Sequence, residues 1–435
     1  MIYIFIILII VLYLSLTAYI KYKLKFWITQ PVFHIYNIWY WIRPPGIILP
    51  DLPSIASIAQ KGSSKYLNQY NIKTLKFAEI KEDVICDRLC NFIKSYYIAS
   101  TKTAAYTPTK EDIINYHIGT NHPSFFSMYQ QPQILFEKGE PTTTITEIIG
   151  VISARPLNIR LKNTATFPTY YIDNLCVHPA YRKNGIAPQI IQTQCYNLRH
   201  ANKNIKTCLF KREGQLNALV PLVVFDTFCF DLTIFYQTQK QKQINDFNVI
   251  EIGIAQLPSF TAFIKAQMKN FDCVILPDLT NLMHLIKTGN IIIYALMDRT
   301  ANIIATYMFR RLNMTYTNVG ANVGATNVGA NVNKKQHAIE CINIVIATCV
   351  DTMCVDTTCV DTTCVVGFSI SLLKLKEKNE IDLLLIEDTA NARVVIDNLN
   401  NKLNLPIKFK SPTAFFLYNY ACYSLYKSEL ALIIY

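Results

Sequence analysis

The chain has 435 residues, of which 51% are apolar and only 17% charged. That balance excludes disorder as the dominant state and gives enough length for two or three domains with real cores. Lysine and arginine (42) outnumber aspartate and glutamate (30), leaving a net charge of +12, which favours an anionic partner such as nucleic acid, an anionic membrane surface or a phosphorylated cofactor. A single stretch is long and uncharged enough to span a bilayer, so a protein of many membrane helices is excluded as well.

That stretch comes first. Ile2–Ile20 carries no charged side chain, and at 1.5 Å per residue it makes a helix of about 28 Å, close to the ~30 Å of bilayer hydrocarbon. Lys21, Lys23 and Lys25 follow at once. A cleaved signal peptide carries its positive charge before the apolar run, not after it. Residues 1–25 therefore read as an uncleaved single-pass anchor, with the rest of the chain on the cytosolic side of the membrane. The 13 cysteines are scattered from Cys86 to Cys422 and read as reduced, mostly buried thiols, in keeping with that compartment.

Downstream, Arg43-Pro44-Pro45-Gly46 marks a turn. Val84, Ile85, Leu89, Phe92 and Ile93 recur at helical spacing within 83–98, and Thr109 opens a second helix over 109–118. Strands are predicted at Thr146–Ser153, Pro156–Leu161 and Tyr170–Val177, a helix at Pro188–Leu198, and strands at 205–210 and 219–232. The second half repeats the habit. A helix is predicted at Phe260–Lys269, then a hairpin of Asn290–Asp298 and Ile303–Arg310. A strand at Glu380–Ile386, a helix at Ala390–Lys402, and strands at Ala414–Tyr420 and Leu430–Tyr435 complete it. Two low-complexity insertions interrupt this half, NVGA-type units over 317–333 and CVDTT units over 349–365. The second spaces cysteines five apart, unlike the C-x2-C pairs of structural zinc sites, so no metal is expected and a tolerated surface loop is the reading.

The chemistry-bearing segment is Tyr171–Pro188. An apolar strand ends near Val177, and Arg182-Lys183-Asn184-Gly185-Ile186-Ala187 forms a loop ahead of a helix whose first turn accepts Pro188. Backbone N–H groups at such a helix start, with two cations beside them, suit a diphosphate. Cys176 as acyl carrier with His178 as base is the competing reading. The two share a strand face, but nothing in the sequence orients the histidine.

The loop resembles the diphosphate loop of the GCN5-related (GNAT) acyltransferase superfamily. Three ordered segments are similar to its N-myristoyltransferase branch. Phe26–Val32 resembles that family's FWxTQPV. IIGVISARPLNIRL (148–161) with LCVHPAYRKNGIAP (175–188) resembles GFISAxPxxI with LCVHxxxRxxxxAP. FFLYNYACYSLYKSELALIIY (415–435) resembles the YYLYNW segment and the apolar end of the chain. The resemblance implies an α+β fold of two tandem acyltransferase-like halves forming a saddle-shaped mixed sheet. Residues 26–235 would be the acyl-CoA half and 236–435 the peptide half. Myristoyl-CoA would be co-substrate, with no permanently bound cofactor, and the N-terminal glycine amine of a peptide or protein the acceptor. No nucleic-acid motif accompanies the charge. An N-acetyltransferase of the same superfamily, and an inactive membrane-anchored peptide-binding protein, are the alternatives.

Residue by residue, the resemblance makes the backbone amides of Asn174 and Leu175 the oxyanion donors and the carboxylate of Tyr435 the base. Lys25, Phe26 and Trp27 map to adenine and acyl-chain contacts, and Leu175, Cys176, Val177 and Lys183–Ala187, Gly185 and Ile186 among them, to thioester and diphosphate contacts, with Arg182 adding charge. Asp173, Tyr418 and Asn419 fall on the acceptor side. A carboxyl near pKa ~3.5 facing an amine near ~7.8 leaves a penalty of roughly 6 kcal/mol, which burial of both groups shrinks. The chain also departs from the family. Asp173 replaces an asparagine and Asn174 a phenylalanine. Two acidic features become Ile98–Lys102 and Phe409-Lys410-Ser411, and a threonine-alanine-glycine turn gives way to Phe210–Glu213. A peptide acceptor is accordingly expected not to favour lysine.

Overall fold

The strands form where β-branched and aromatic residues cluster, and fifteen of them join one mixed sheet. The computed structural model describes residues 2–98, 104–135, 143–162, 164–214, 219–238, 248–317, 335–347 and 357–432. Ahead of the sheet stands α1 (Ile2–Lys23), long and apolar enough to cross a membrane and uncovered by protein along that span. The first half contributes β1 (Ile72–Lys76), α2 (Val84–Tyr96), β2 (Ala104–Tyr106), α3 (Lys110–Ile114), β3 (Phe125–Leu135), β4 (Thr143–Leu161), β5 (Phe167–Val177), α4 (Ile186–Ala201), β6 (Cys208–Glu213) and β7 (Val223–Asp231). The second contributes β8 (Asn248–Glu251), α5 (Leu257–Gln267), β9 (Cys273–Leu276), α6 (Leu279–Lys287), β10 (Ile291–Met297), β11 (Ile303–Thr317) and β12 (Lys335–Ile346). It ends with α7 (Thr357–Lys378), β13 (Leu383–Glu387), α8 (Ala392–Asp397), β14 (Ile407–Tyr418) and β15 (Leu430–Leu432).

The tandem architecture is visible in the pairing. β4 runs antiparallel to β5, and α4 then crosses over to β6, parallel to β5. In the second half β11 runs antiparallel to β12, and α7 crosses to β13, parallel to β12. The halves also exchange strands. β14 lies between β6 and β7, and β7 pairs with β13, giving the local order β6-β14-β7-β13. A late strand thus completes the early unit and an early strand completes the late one, which welds them into a single sheet.

Local chemistry explains the element ends. Asp83 caps α2 by accepting the Ile85 N–H at 3.0 Å, and Thr109 with Asp112 forms a capping box on α3. The strands expected at 146–153 and 156–161 are one strand, β4. Pro156 faces Tyr170 of β5 on one side; on the other, pairing with β3 ends at Ala154 and pairing with β9 starts at Asn158, so a missing N–H on that side breaks no ladder. The helix expected at 390–402 is α8 followed by one π turn, Asn398–Lys402.

The surface-loop expectation for the CVDTT units needs correction. Residues 349–356 lie outside the described residues, as does the NVGA stretch over 318–333, but from Thr357 the chain is α7. Cys364, Phe368, Leu372 and Leu375 form a helical stripe that is fully buried in the core shared with Tyr307 and Phe309. Gly367 lies under that contact, where a Cβ would stand 2.5 Å from the Tyr307 hydroxyl.

Candidate active site

The site begins as a fault in a ladder. Val151 pairs with Cys176 and Ser153 with Asp173, so Ile152 alone faces both Asn174 and Leu175. The extra residue bulges β5 and takes two backbone amides out of regular pairing. Asn174 sits at φ 54°, a left-handed conformation that asparagine tolerates. Its Nδ2 donates to Ser153 Oγ at 2.9 Å, and that hydroxyl donates to the Asp173 carbonyl at 3.2 Å, which pins the bulge.

The bulge opens on a cavity of about 670 Å³. One side of it is aromatic. Trp27 stacks on Phe210 (5.8 Å, 14°), Phe210 stacks on Phe416 (5.4 Å, 16°), and the Tyr418 hydroxyl donates to Gln30 Oε1 at 2.8 Å. The other side is charged. Lys211 Nζ lies 2.6 Å from Glu387 and 3.5 Å from Glu340, and Arg310 Nε donates to Glu340 at 2.8 Å. Burial pushes the Glu340 carboxyl up, but Arg310 and Lys211 outweigh it and hold the group well below the usual carboxylate range. Asp173 sits between the two sides. It accepts the Tyr97 hydroxyl at 2.6 Å and the Asn174 N–H at 2.7 Å.

Beyond the bulge β5 ends at Val177, and Pro179–Tyr181 makes a short turn. Arg182 Nε then donates back to the Val177 carbonyl at 3.1 Å. Lys183 (φ 68°) and Gly185 (φ 76°) are both left-handed, and α4 starts at Ile186 with Pro188 in its first turn. A Cβ at Gly185 would meet nothing within 4 Å, so the glycine is there for its backbone angle and not for room. A second cavity of about 420 Å³, lined by Tyr129, Tyr181, Asn184, Ile186 and Gln189, adjoins this helix start.

Several residues singled out from sequence converge here. Asp173, Asn174, Leu175, Trp27 and Tyr418 line the large cavity, and Ile186 lines the smaller one. Others stand behind. Phe26 is buried edge-on against Trp27 and Tyr66, and Lys25 is exposed over the Tyr22 ring. Asn419 is fully buried at φ 62°. Its amide is spent on the Leu49 backbone and the Lys206 carbonyl, so it ties the N-terminal segment to the sheet. Cys176 is buried, and that burial pushes its thiol up to about 12. His178 packs between Tyr96 and Tyr181. The Cys176–His178 carrier reading gains nothing from this arrangement. Tyr435 lies outside the described residues. The last described strand, β15, runs parallel to β9 (Cys273↔Leu430), which is antiparallel to β4 (Cys273↔Leu161, Ile275↔Ile159). β15 therefore runs in the direction from Leu161 to Ile159 of β4, one strand away from it, with Leu430 and Ala431 fully buried.

Sequence reading missed Arg155, Lys211, Arg310 and Glu340, all of which line the cavity. The available signal was a charged residue inside an otherwise apolar strand, as in Ile152–Leu157 and Ala338–Ile342. No cluster of three or more His, Cys, Asp or Glu side chains suited to a metal ion occurs among the described residues.

Residues 94–207, from the end of α2 to the loop before β6, match the family model for the acetyltransferase (GNAT) family. The matched segment contains the Asn174–Leu175 bulge and the Arg182–Gly185 loop. Over almost its whole length the fold is that of N-myristoyltransferase. A Saccharomyces cerevisiae N-myristoyltransferase structure with bound myristoyl-CoA aligns with a TM-score of 0.68 at 12% identity, covering 95% of this chain and 94% of that one. A second such structure gives 0.64 at 12% identity, covering 94% and 99%. A third, with myristoyl-CoA and inhibitors, gives 0.65 at 13% identity, covering 92% and 91%. No curated protein matches by sequence.

Proposed function

We propose that the protein is a membrane-anchored acyl-CoA-dependent N-acyltransferase that moves a myristoyl group from myristoyl-CoA to the N-terminal glycine amine of a peptide or protein. The observation that carries this reading is the Asn174–Leu175 bulge, open on a cavity with an aromatic wall on one side and paired charges on the other. The aromatic wall of Trp27, Phe210 and Phe416 suits a hydrocarbon chain. The Arg182–Gly185 loop and the first turn of α4 suit the diphosphate. The thioester carbonyl then lies at the bulge. As the C–N bond forms and the C–S bond to coenzyme A breaks, backbone N–H groups there stabilise the oxyanion, by ~3 kcal/mol per donor.

Asp173 adds a coupling. Its carboxylate occupies the Asn174 N–H, so that donor is filled until an ammonium group arrives. An incoming amine attracts the carboxylate and frees the N–H for the thioester oxygen, which links acceptor binding to activation. The proton passes to the Tyr435 carboxylate. Support for that role is the course of β15, buried and directed along β4. Helix α1 would hold the enzyme in the membrane, with Lys21, Lys23 and Lys25 at the cytosolic face.

The test is mass spectrometry of an N-terminal glycine peptide incubated with full-length protein in detergent micelles and acyl-CoAs of graded chain length. The peptide is expected to gain one acyl group, most rapidly from myristoyl-CoA. Extension of the chain past Tyr435 is expected to abolish transfer. Absence of product from every acyl-CoA rejects the reaction, best transfer from acetyl-CoA rejects the fatty donor, and undiminished transfer by the extended chain rejects the base.

A further inference from the structure

We propose that Arg155 is a carboxylate-binding subsite for the acceptor, so that the favoured acceptor carries a carboxylate within about one residue of its reacting amine. This rests on the transfer reading above and specifies its substrate. Arg155 lies on β4 opposite Tyr171, two residues from Ser153. The two share a face of the strand, about 7 Å apart along it. Its guanidinium sits between two rings, 5.1 Å from the Tyr116 centroid and 5.0 Å from that of Tyr171. The residue is only 3% exposed, it lines the cavity, and its Nη1 has no hydrogen-bond partner among the described residues.

Asp173 is the carboxylate that acts most strongly on Arg155, but no hydrogen bond among the described residues joins the two, and the closest charges have partners of their own. Arg310 is held by Glu340, Lys211 by Glu387 and Glu340, and Asp173 by the Tyr97 hydroxyl and the Asn174 N–H. A buried cation without a paired anion is costly. A guanidinium is a planar fork, the geometry that a carboxylate meets with two parallel hydrogen bonds. Buried beside it, His117 also lines the cavity and leaves its Nδ1 unpartnered. The carboxylate has two possible sources. One is an acidic side chain following an N-terminal glycine, and the other is the α-carboxylate of a free amino acid.

The experiment compares wild type, Arg155→Met and Arg155→Lys in the full chain, on two matched acceptor pairs. One pair is C-terminally amidated peptides beginning Gly-Glu and Gly-Gln, and the other is glycine and glycinamide. Wild type is expected to favour the carboxylate member of one pair by about tenfold or more in kcat/KM, and that pair identifies the source. Arg155→Met should level the pair while sparing the amide member, and Arg155→Lys should restore part of the preference. Equal use of both members by wild type overturns the proposal, as does an equal slowing of both members by Arg155→Met. Calorimetric binding of the same four acceptors reads the subsite without transfer. Carboxylate-selective binding that Arg155→Met removes, in a protein that transfers no acyl group, sustains the subsite and rejects the reaction.

Discussion

Two strands of the sheet carry one extra residue just ahead of a crossover helix. In β5 it is the Asn174–Leu175 bulge opposite Ile152, and in β12 it is Ile342, squeezed between the Cys341–Phe309 and Asn343–Met308 pairs. The first opens on the cavity and leaves Leu175 partly exposed. The second is sealed. Ile342, Asn343 and Ile344 are fully buried, and Ile342 and Ile344 belong to the two main cores of the molecule. Even the polar atoms of the Asn343 side chain have no hydrogen-bond partner among the described residues. A bulge frees backbone donors wherever it occurs, but it becomes a site only where the packing leaves room for a ligand. The same topological unit therefore opens on a cavity in one half and is packed shut in the other.

The sharpest way to break this contrast is to remove a donor from each bulge. Leu175→Pro deletes one N–H and is expected to slow acyl transfer about 100-fold or more, the ~3 kcal/mol of one oxyanion donor. Acyl-CoA affinity, read by calorimetry, should change little. Ile342→Ala is expected to cost roughly 2–4 kcal/mol of stability in urea titrations while the folded fraction keeps its transfer rate. A large rate loss with Ile342→Ala and none with Leu175→Pro would invert the assignment. Next in size is the loop of the first unit. Arg182→Met combined with Lys183→Met should weaken acyl-CoA binding about tenfold, with the deficit shrinking as salt is added. Asn343→Leu should raise stability by about 1 kcal/mol, because it removes two unpartnered polar atoms from the core. A lowered melting temperature would show that Asn343 is paired in solution.

The smallest effect concerns the thiols beside the two bulges. Burial pushes Cys176 up to about 12 and Cys341 well above the ordinary 9.0. A raised thiol pKa keeps the neutral form dominant through the working range, so the nucleophilic thiolate is a trace species there and becomes a major one only near pH 12. Cys176→Ser is expected to keep transfer within about twofold. Alkylation of Cys176 in the native protein, followed by mass spectrometry, should be far slower than that of a free thiol and should climb about tenfold per pH unit between pH 7 and 9 without levelling off. Fast alkylation that levels off in that window, or loss of transfer with Cys176→Ser, would return the carrier reading to consideration.

The part of the site legible in the sequence was its contiguous part. Tyr171 to Pro188 carries the strand end, the bulge, the cations, the left-handed glycine and the helix start within one segment, and each follows from local residue chemistry. The long apolar helix α1 was legible for the same reason. What escaped is assembled across the sheet. Arg155, Lys211, Arg310 and Glu340 come from β4, β6, β11 and β12 and meet only because β14 and β7 exchange places between the halves. No local pattern encodes that exchange. Asn419 illustrates the opposite failure. Its motif suggested a place beside the acceptor, while its left-handed backbone and three hydrogen bonds to neighbouring main chain make it a structural tie. The last CVDTT unit looked like loop until it ran into the Phe368–Leu375 stripe, where burial of one face makes it helix.

The most direct measurement is hydrogen–deuterium exchange of the full-length protein in micelles, with and without a non-hydrolysable thioether analogue of myristoyl-CoA. If the first bulge holds the acyl donor, protection should appear over 171–188 and be absent over 335–346. Protection confined to 335–346, or none anywhere at saturating analogue, would contradict the assignment of acyl-transfer chemistry to the Asn174–Leu175 bulge.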